Sequence, residues 1–216
     1  MGSISRIDTL ANINSEDTLR LSDVDTGNQY DVPVSVLLGG WRDLRTALVA
    51  AKVPAVGSPT LTAFGPSGGI FQNAFAIDDT VFFAFHIDHD VKQGSTMFPH
   101  VHWTTNGVNA ATVKWELEYT IAARNGSTIE SIEFPAPSTI TVEEAAAGTA
   151  WTHMVTEDAT GFTAPEIDSL VICKLKRITN GGTNNTDTIF GLFCDIHYEC
   201  QQYGTPSRSP DYYTPD

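Results

Sequence analysis

The sequence predicts an all-β protein, an antiparallel β-sandwich of the jelly-roll type, and three observations support this. Only 18% of the 216 residues are charged, so much of the polar surface must come from Thr, Ser, Asn and Gly, which suit strands and turns better than long helices. After Ala63 the chain is a series of short apolar runs separated by Gly, Asn, Asp and Pro clusters. Several of these runs alternate apolar and polar residues, which is the period of a half-buried strand.

Eight apolar runs are predicted to be strands. In the clearest of them, Val113, Trp115 and Leu117 alternate with Lys114 and Glu116, so one face of the strand is apolar and the other polar. Short strands at fairly regular spacing are typical of a sandwich. The predicted strands are residues 70–75, 80–89, 98–104, 111–122, 128–134, 149–156, 169–177 and 188–199.

One sandwich domain is predicted over residues 41–200, flanked by an arm and a tail. Residues 1–40 are polar and acidic with short apolar pieces, which favours an extended arm with edge strands. Residues 201–216 hold three prolines and three tyrosines, a composition that favours an extended tail over a neighbouring surface. Residues 41–51 are the best helix candidate, about three turns long.

Charge and cysteine content restrict the partners and the compartment. The net charge of −14 argues against a nucleic-acid partner, because phosphate backbones are bound by clustered Lys and Arg. It also argues against an anionic membrane surface, and no apolar run reaches the ~20 residues of a membrane span.

Cys173, Cys194 and Cys200 are odd in number and lie in apolar strands, which predicts buried, reduced thiols in a reducing compartment.

Four of the six histidines lie between residues 78 and 103. A hairpin turning near Gly94 would set His86 opposite His102 and Asp88 opposite His100, all on one face. Three imidazoles and a carboxylate suit Zn, Fe or Mn, and the stretch from Gly94 to His102 resembles part of the first cupin motif. The cupin Glu ligand is absent and the second motif has no counterpart. The favoured interpretation is therefore a row of histidines on one sheet face, whose side chains are hydrogen-bonded or lie at a subunit contact. Under this interpretation the protein has no catalytic residue, metal or cofactor. A cupin-like metalloenzyme is the alternative.

Three sequence segments, in their order along the chain, carry a family resemblance. They are Trp41-Arg42-Asp43-Leu44-Arg45, Pro99-His100-Val101-His102-Trp103 and Asp195-Ile196-His197-Tyr198. With the intervening strands they resemble a family of small structural proteins of tailed bacteriophages and prophages, over about residues 41–200. The resemblance implies a virion component, assembled in the cytoplasm of a bacterial host, rather than an enzyme.

The function that this resemblance implies is structural. We expect a homo-oligomer, specifically a trimer, that decorates or cements the capsid or serves as a head or tail fibre or adaptor subunit. Its partners would be copies of itself and other phage structural proteins, such as the major capsid, tail or portal protein. Trp41, Tyr203, Tyr212 and Tyr213 are the predicted interface anchors, because Tyr and Trp are enriched in interface hot spots.

A carbohydrate-binding module of a host-recognition fibre is a further alternative. It requires an aromatic platform on the surface of the sandwich, for which Trp103, Trp115 and Trp151 would have to be exposed. Their position in apolar strands favours the core instead.

Overall fold

The computed structural model describes residues 18–22, 29–33, 40–128 and 130–200, and it confirms the predicted antiparallel β-sandwich. The larger sheet contains β3 (Gly40–Ala47), β4 (Thr60–Phe64), β5 (Ile70–Phe75), β7 (Thr96–Thr105), β10 (Met154–Glu157), β11 (Phe162–Thr163) and β13 (Ile189–Cys200). The smaller sheet contains β6 (Thr80–His86), β8 (Thr112–Ala122), β9 (Ser138–Ala145) and β12 (Leu170–Ile178). A separate two-stranded pair consists of β1 (Thr18–Ser22) and β2 (Gln29–Pro33).

Strand β13 is the centre of the larger sheet. Along one edge it pairs with β7, and along the other it pairs first with β5 and then with β3. The register with β7 shifts between Gly191 and Phe193, which is the signature of a β-bulge. A Cβ at Gly191 would lie 2.7 Å from a ring carbon of Phe75 and 3.0 Å from a methyl of Leu48. Glycine therefore allows β13 to pass close to the core at the point where its register changes.

The inner faces of the two sheets bury the large side chains that the alternating pattern predicts. Trp103 of β7 and Trp115 of β8 are both 0% exposed. The Trp115 ring meets Phe75 edge-on at a centroid distance of 5.2 Å, a favourable aromatic arrangement. The indole N–H of Trp103 donates to Thr156 Oγ1 at 2.7 Å, and that hydroxyl donates to Glu144 Oε2 at 2.7 Å. The buried indole N–H thus has a hydrogen-bond acceptor on β10, and this relay of hydrogen bonds continues to Glu144 on β9.

Two predicted elements are wrong. Residues 41–51 do not form a helix: β3 runs to Ala47 and is followed by a single 3-10 turn, Leu48–Ala50. Pairing of β3 with β13 overrides a short helix signal that had no strong cap. The predicted strand at 128–134 is absent from the part of that run that the structure describes, and β9 follows it instead at Ser138–Ala145.

The predicted burial of Cys173, Cys194 and Cys200 is confirmed, and the reducing compartment stays a prediction. Burial raises the pKa of Cys173 to about 12 and raises the pKa of Cys194 well above its ordinary value.

In the described part of the chain, none of the helices is long and apolar enough to cross a membrane.

The arm and tail boundaries stay predictions. Within residues 1–40, the structure describes the antiparallel pair of β1 and β2 and the first residue of β3. The predicted tail at 201–216, with the proposed anchors Tyr203, Tyr212 and Tyr213, lies outside the described residues. Trp41, the fourth proposed anchor, is 62% exposed.

Candidate ligand-binding cleft

A polar band crosses the outer face of the larger sheet, on the side away from the smaller sheet. On β7, Val101 and Trp103 are buried in the core, so His100 and His102 point outward. The register sets neighbouring outward residues side by side on four adjacent strands. With His153 from the segment before β10, these residues form what we call the histidine–carboxylate cluster: Asp43, His100, His102, His153, Glu157, Asp195 and His197.

One half of the cluster is built around Asp195. His102 Nε2 lies 3.3 Å from Asp195 Oδ2, and His100 Nε2 lies 4.0 Å from the same oxygen. His102 Nδ1 is hydrogen-bonded to His153 Nε2 at 2.8 Å. His100 Nδ1 lies 3.4 Å from the carbonyl oxygen of Phe98. The two β7 imidazoles are thus held by their Nδ1 atoms while their Nε2 atoms face one carboxylate.

The other half of the cluster is built around His197. Its Nε2 lies 2.9 Å from Asp43 Oδ1, and its Nδ1 contacts a carboxylate oxygen of Glu157. Arg45 donates to Asp43 Oδ2 at 2.9 Å. The His197 ring packs against His100 at a centroid distance of 4.0 Å, which joins the two halves.

Burial decides the electrostatics of the cluster. Desolvation, followed by the neighbouring His197, lowers the pKa of His100, because burial disfavours the charged imidazolium. The Asp195 side chain is only 7% exposed. Among the described residues, three buried polar atoms of the cluster have no hydrogen-bond partner: Asp43 Oδ1, His102 Nε2 and Asp195 Oδ1. His197 Nε2 and Asp43 Oδ1 are close but not aligned for a hydrogen bond.

Two adjoining depressions lie over this face, and together we call them the outer cleft. The larger, of about 640 Å³, lies over His100, His102 and Asp195 and is bordered by Phe193. The smaller, of about 370 Å³, is walled by Trp41 and Phe98 and shares His197 with the larger. The two aromatic rings of that wall lie 5.8 Å apart between centroids. The outer cleft thus combines an exposed indole with several hydrogen-bonding side chains.

The four residues that the metalloenzyme alternative would use, His86, Asp88, His100 and His102, are not brought together as a set. Strand β6 pairs with β12 in the smaller sheet, whereas β7 belongs to the larger sheet, so the two do not form a hairpin. His86 instead bonds Asp168 Oδ1 at 2.7 Å. The connection after β6 crosses between sheets, which separates His86 from the two β7 histidines.

Sequence reasoning missed five members of the cluster, although part of the signal was present. A strand at 188–199 was predicted with Cys194 and Ile196 on one face, which places Asp195 and His197 together on the other. The pairing of that strand with β7 brings these residues to His100. Nothing in the local pattern specifies that pairing.

Trp103, Trp115 and Trp151 do not form the aromatic platform that the carbohydrate-binding alternative requires. The favoured placement in the core is confirmed for Trp103 and Trp115, which are fully buried. Trp151 is half-buried on the outer face, where it packs against Phe64 and Phe190 at centroid distances of 5.4 and 5.6 Å. The exposed indole is that of Trp41.

Comparisons with known proteins identify no family. No protein-family model matches the chain, and no curated protein does. Among solved structures, the carbohydrate-binding module CBM35 of Abf62 from Cellvibrio japonicus is similar at 13% identity and a TM-score of 0.39, over 72% of this chain and 92% of that one. An exo-β-1,3-galactanase from Phanerochaete chrysosporium shows 9% identity and a TM-score of 0.37, over 82% of this chain and 32% of that one. A cellulose-specific module, CBM28, shows 10% identity and a TM-score of 0.30, over 76% and 87%. Likenesses at this level support no inference about ligand or activity.

Proposed function

We propose that this protein is a non-catalytic recognition protein of a tailed-bacteriophage particle, which binds carbohydrate in the outer cleft. The observation that carries the proposal is the exposed indole of Trp41, which stands beside a row of imidazole, carboxylate and guanidinium groups. Binding sites generally combine apolar walls with a few placed polar groups, and the outer cleft has both.

Carbohydrate suits this surface for chemical reasons. A sugar ring has an apolar C–H face, which packs on an aromatic ring, and a rim of hydroxyls, which need both donors and acceptors. Trp41 and Phe98 offer the ring faces, while Asp43, Arg45 and His197 offer acceptors and donors. Because the chain has a net charge of −14, we expect neutral rather than anionic glycans.

The placement in a phage particle is supported by the sequence resemblance. The three segments that carry it lie on β3, β7 and β13, which are neighbours in the larger sheet. Their outward residues are also those of the cleft: Trp41, Asp43, Arg45, His100, His102, Asp195 and His197. The resemblance and the candidate binding surface therefore concern the same residues.

Particle assembly is a second candidate function, in which the protein is a trimeric subunit that decorates or cements the capsid or acts as an adaptor. The observation that favours it is a group of exposed apolar side chains on β4 and β5, at one edge of the larger sheet. Leu61, Ile70 and Phe71 are 58%, 63% and 51% exposed. Exposed apolar groups at a sheet edge are common sites of protein association.

A glycan array tests the first proposal. The full chain should bind a set of neutral bacterial surface glycans, and Trp41→Ala should weaken the binding at least 10-fold, since stacking contacts are a large part of such affinity. Phe82→Ala is the matched control, because Phe82 is a 41% exposed aromatic on the smaller sheet and its loss should leave binding unchanged. Equal binding by wild type and Trp41→Ala, or no bound glycan, would refute the proposal.

Light scattering and particle binding test the second candidate. A trimer in solution that binds glycan-free capsids, and that is weakened by Leu61→Asp or Phe71→Asp, would support assembly. A monomer with no affinity for mature particles would contradict it.

A further inference from the structure

We propose that His100, His102 and Asp195 form a binding site for one divalent transition-metal ion of the Zn²⁺ type, at the base of the outer cleft. The proposal is independent of carbohydrate binding, because it is argued from the three ligand residues and their immediate neighbours. It also uses a different set of residues from the hairpin that the sequence predicts.

The first support is the spacing of the ligand atoms. The ligand atoms of the three residues all lie within 4.8 Å of one another, and His102 Nε2 is 3.3 Å from Asp195 Oδ2. Bonds of ~2.0–2.1 Å to a tetrahedral Zn²⁺ put neighbouring ligand atoms roughly 3.3–3.4 Å apart. The His102–Asp195 spacing is thus that of two ligands of one ion. His100 Nε2 lies 4.0 Å from the same oxygen and would have to approach it by roughly 0.6–0.7 Å to reach this spacing.

The second support is the hydrogen on His100. Its Nδ1 faces two acceptors, the carbonyl oxygen of Phe98 at 3.4 Å and Glu157 Oε2 at 3.9 Å. These acceptors favour a hydrogen on Nδ1, which leaves a lone pair on Nε2. That lone pair faces Asp195 Oδ2, which is itself an acceptor. A bound cation would replace this unfavourable pairing with two coordinate bonds.

The third support is the set of buried atoms that lack partners. Within the described part of the chain, His102 Nε2 and Asp195 Oδ1 are buried without a hydrogen bond, and the Asp195 side chain is 7% exposed. A buried polar atom without a partner is costly, and an ion held by His102 Nε2 and Asp195 Oδ2 would give the imidazole nitrogen a partner. His153 Nε2 bonds His102 Nδ1 at 2.8 Å, the outer-shell contact that orients metal-ligating histidines.

The chemistry of the donors selects the ion. Two imidazoles and one carboxylate suit Zn²⁺ and similar ions, whereas Ca²⁺ and Mg²⁺ prefer oxygen ligands. Asp43, His100 and His197 are also within ligand range of one another. In that group, however, Asp43 is engaged by Arg45 and His197 by Glu157. The Asp195 set is therefore the favoured site, and three protein ligands leave a position for water or for a molecule in the cleft.

Calorimetry with ZnCl₂ tests the site in the full chain, after chelator treatment and removal of any purification tag. We expect one saturable equivalent of Zn²⁺, with a much weaker response to Ca²⁺. His102→Ala and Asp195→Asn should each weaken binding at least 10-fold, and His153→Ala should do so by roughly 10-fold to 100-fold, as for other outer-shell residues. His86→Ala is the matched control, because His86 pairs with Asp168 away from the cluster, and its affinity should equal that of the wild type.

The melting temperature is a second readout, which distinguishes loss of the metal site from misfolding of a variant. Zn²⁺ should raise the melting temperature of the wild type and of His86→Ala, and should not raise that of Asp195→Asn, whose side chain is nearly isosteric. Absence of a one-equivalent site in the wild type would overturn the proposal. So would equal loss of affinity in His86→Ala and His102→Ala. No glycan is present in these assays, so their failure is separate from failure of the carbohydrate proposal.

Discussion

Gly191→Ala should destabilise the sandwich because of where β13 passes the core. A Cβ at this position would meet Phe75 Cε2 at 2.7 Å, Leu48 Cδ1 at 3.0 Å and Phe75 Cδ2 at 3.2 Å. Ordinary contact begins at 3.4 Å, so the Phe75 ring has to move by 3.4 − 2.7 = 0.7 Å. Phe75 and Leu48 are 2% and 0% exposed, so both side chains are held in the packed core. Overpacking of this kind costs about 1–3 kcal/mol.

Urea unfolding followed by tryptophan fluorescence measures this cost. Gly182→Ala is the matched control, because the only atom within 4 Å of its added Cβ is Asn180 Oδ1 at 3.8 Å. The control should be neutral or slightly stabilising, by up to about 1 kcal/mol, since it restricts the unfolded chain. Phe75→Leu should partly relieve Gly191→Ala, which appears as non-additivity in a double-mutant cycle. A Gly191→Ala variant as stable as Gly182→Ala would refute the reasoning.

Two further predictions concern buried polar and thiol groups. Thr156→Val removes the acceptor of the Trp103 indole N–H and should lower the free energy of unfolding by about 1–3 kcal/mol, measured by urea titration; a value near zero would contradict the relay. Because burial raises the pKa of Cys173 to about 12, this thiol should resist a thiol reagent at pH 8 until the chain unfolds. The unfolded thiol ionises near pH ~8.5 while the folded one stays protonated, so wild-type stability should fall above that pH more steeply than in Cys173→Ala; equal slopes would count against it.

The sequence predicts those parts of the fold that depend on local periodicity. The strand at 70–75 is observed with the same bounds, and the strand at 111–122 differs by one residue. In both, alternation of side chains reports burial on one face. At 41–51 the pattern is short and without caps, and the observed strand owes its existence to β13, about 150 residues further along the chain. Pairing over such a distance leaves no local signal.

For the candidate site, the sequence likewise predicts the local part, the two histidines of β7, but not their partners on other strands. Alternation along β7 places His100 and His102 on one face, which the sequence predicts and the structure confirms. The identity of their partners depends on which strands flank β7, and here the preceding strand in sequence, β6, belongs to the other sheet. The hairpin assumption therefore selected His86, while the fold supplies Asp195.

One space between the two sheets of the sandwich is too small to hold a ligand. The space between the sheets near Trp115 and Leu175 amounts to about 10 Å³, which is no more than the room that one water needs. Trp103 and Trp115, both 0% exposed, pack on the inner faces of β7 and β8. The outer face of β7 is different, because β3, β13 and β10 bring carboxylates beside the two histidines without a covering sheet. The side chains of β7 that could bind a ligand, His100 and His102, therefore line the outer cleft.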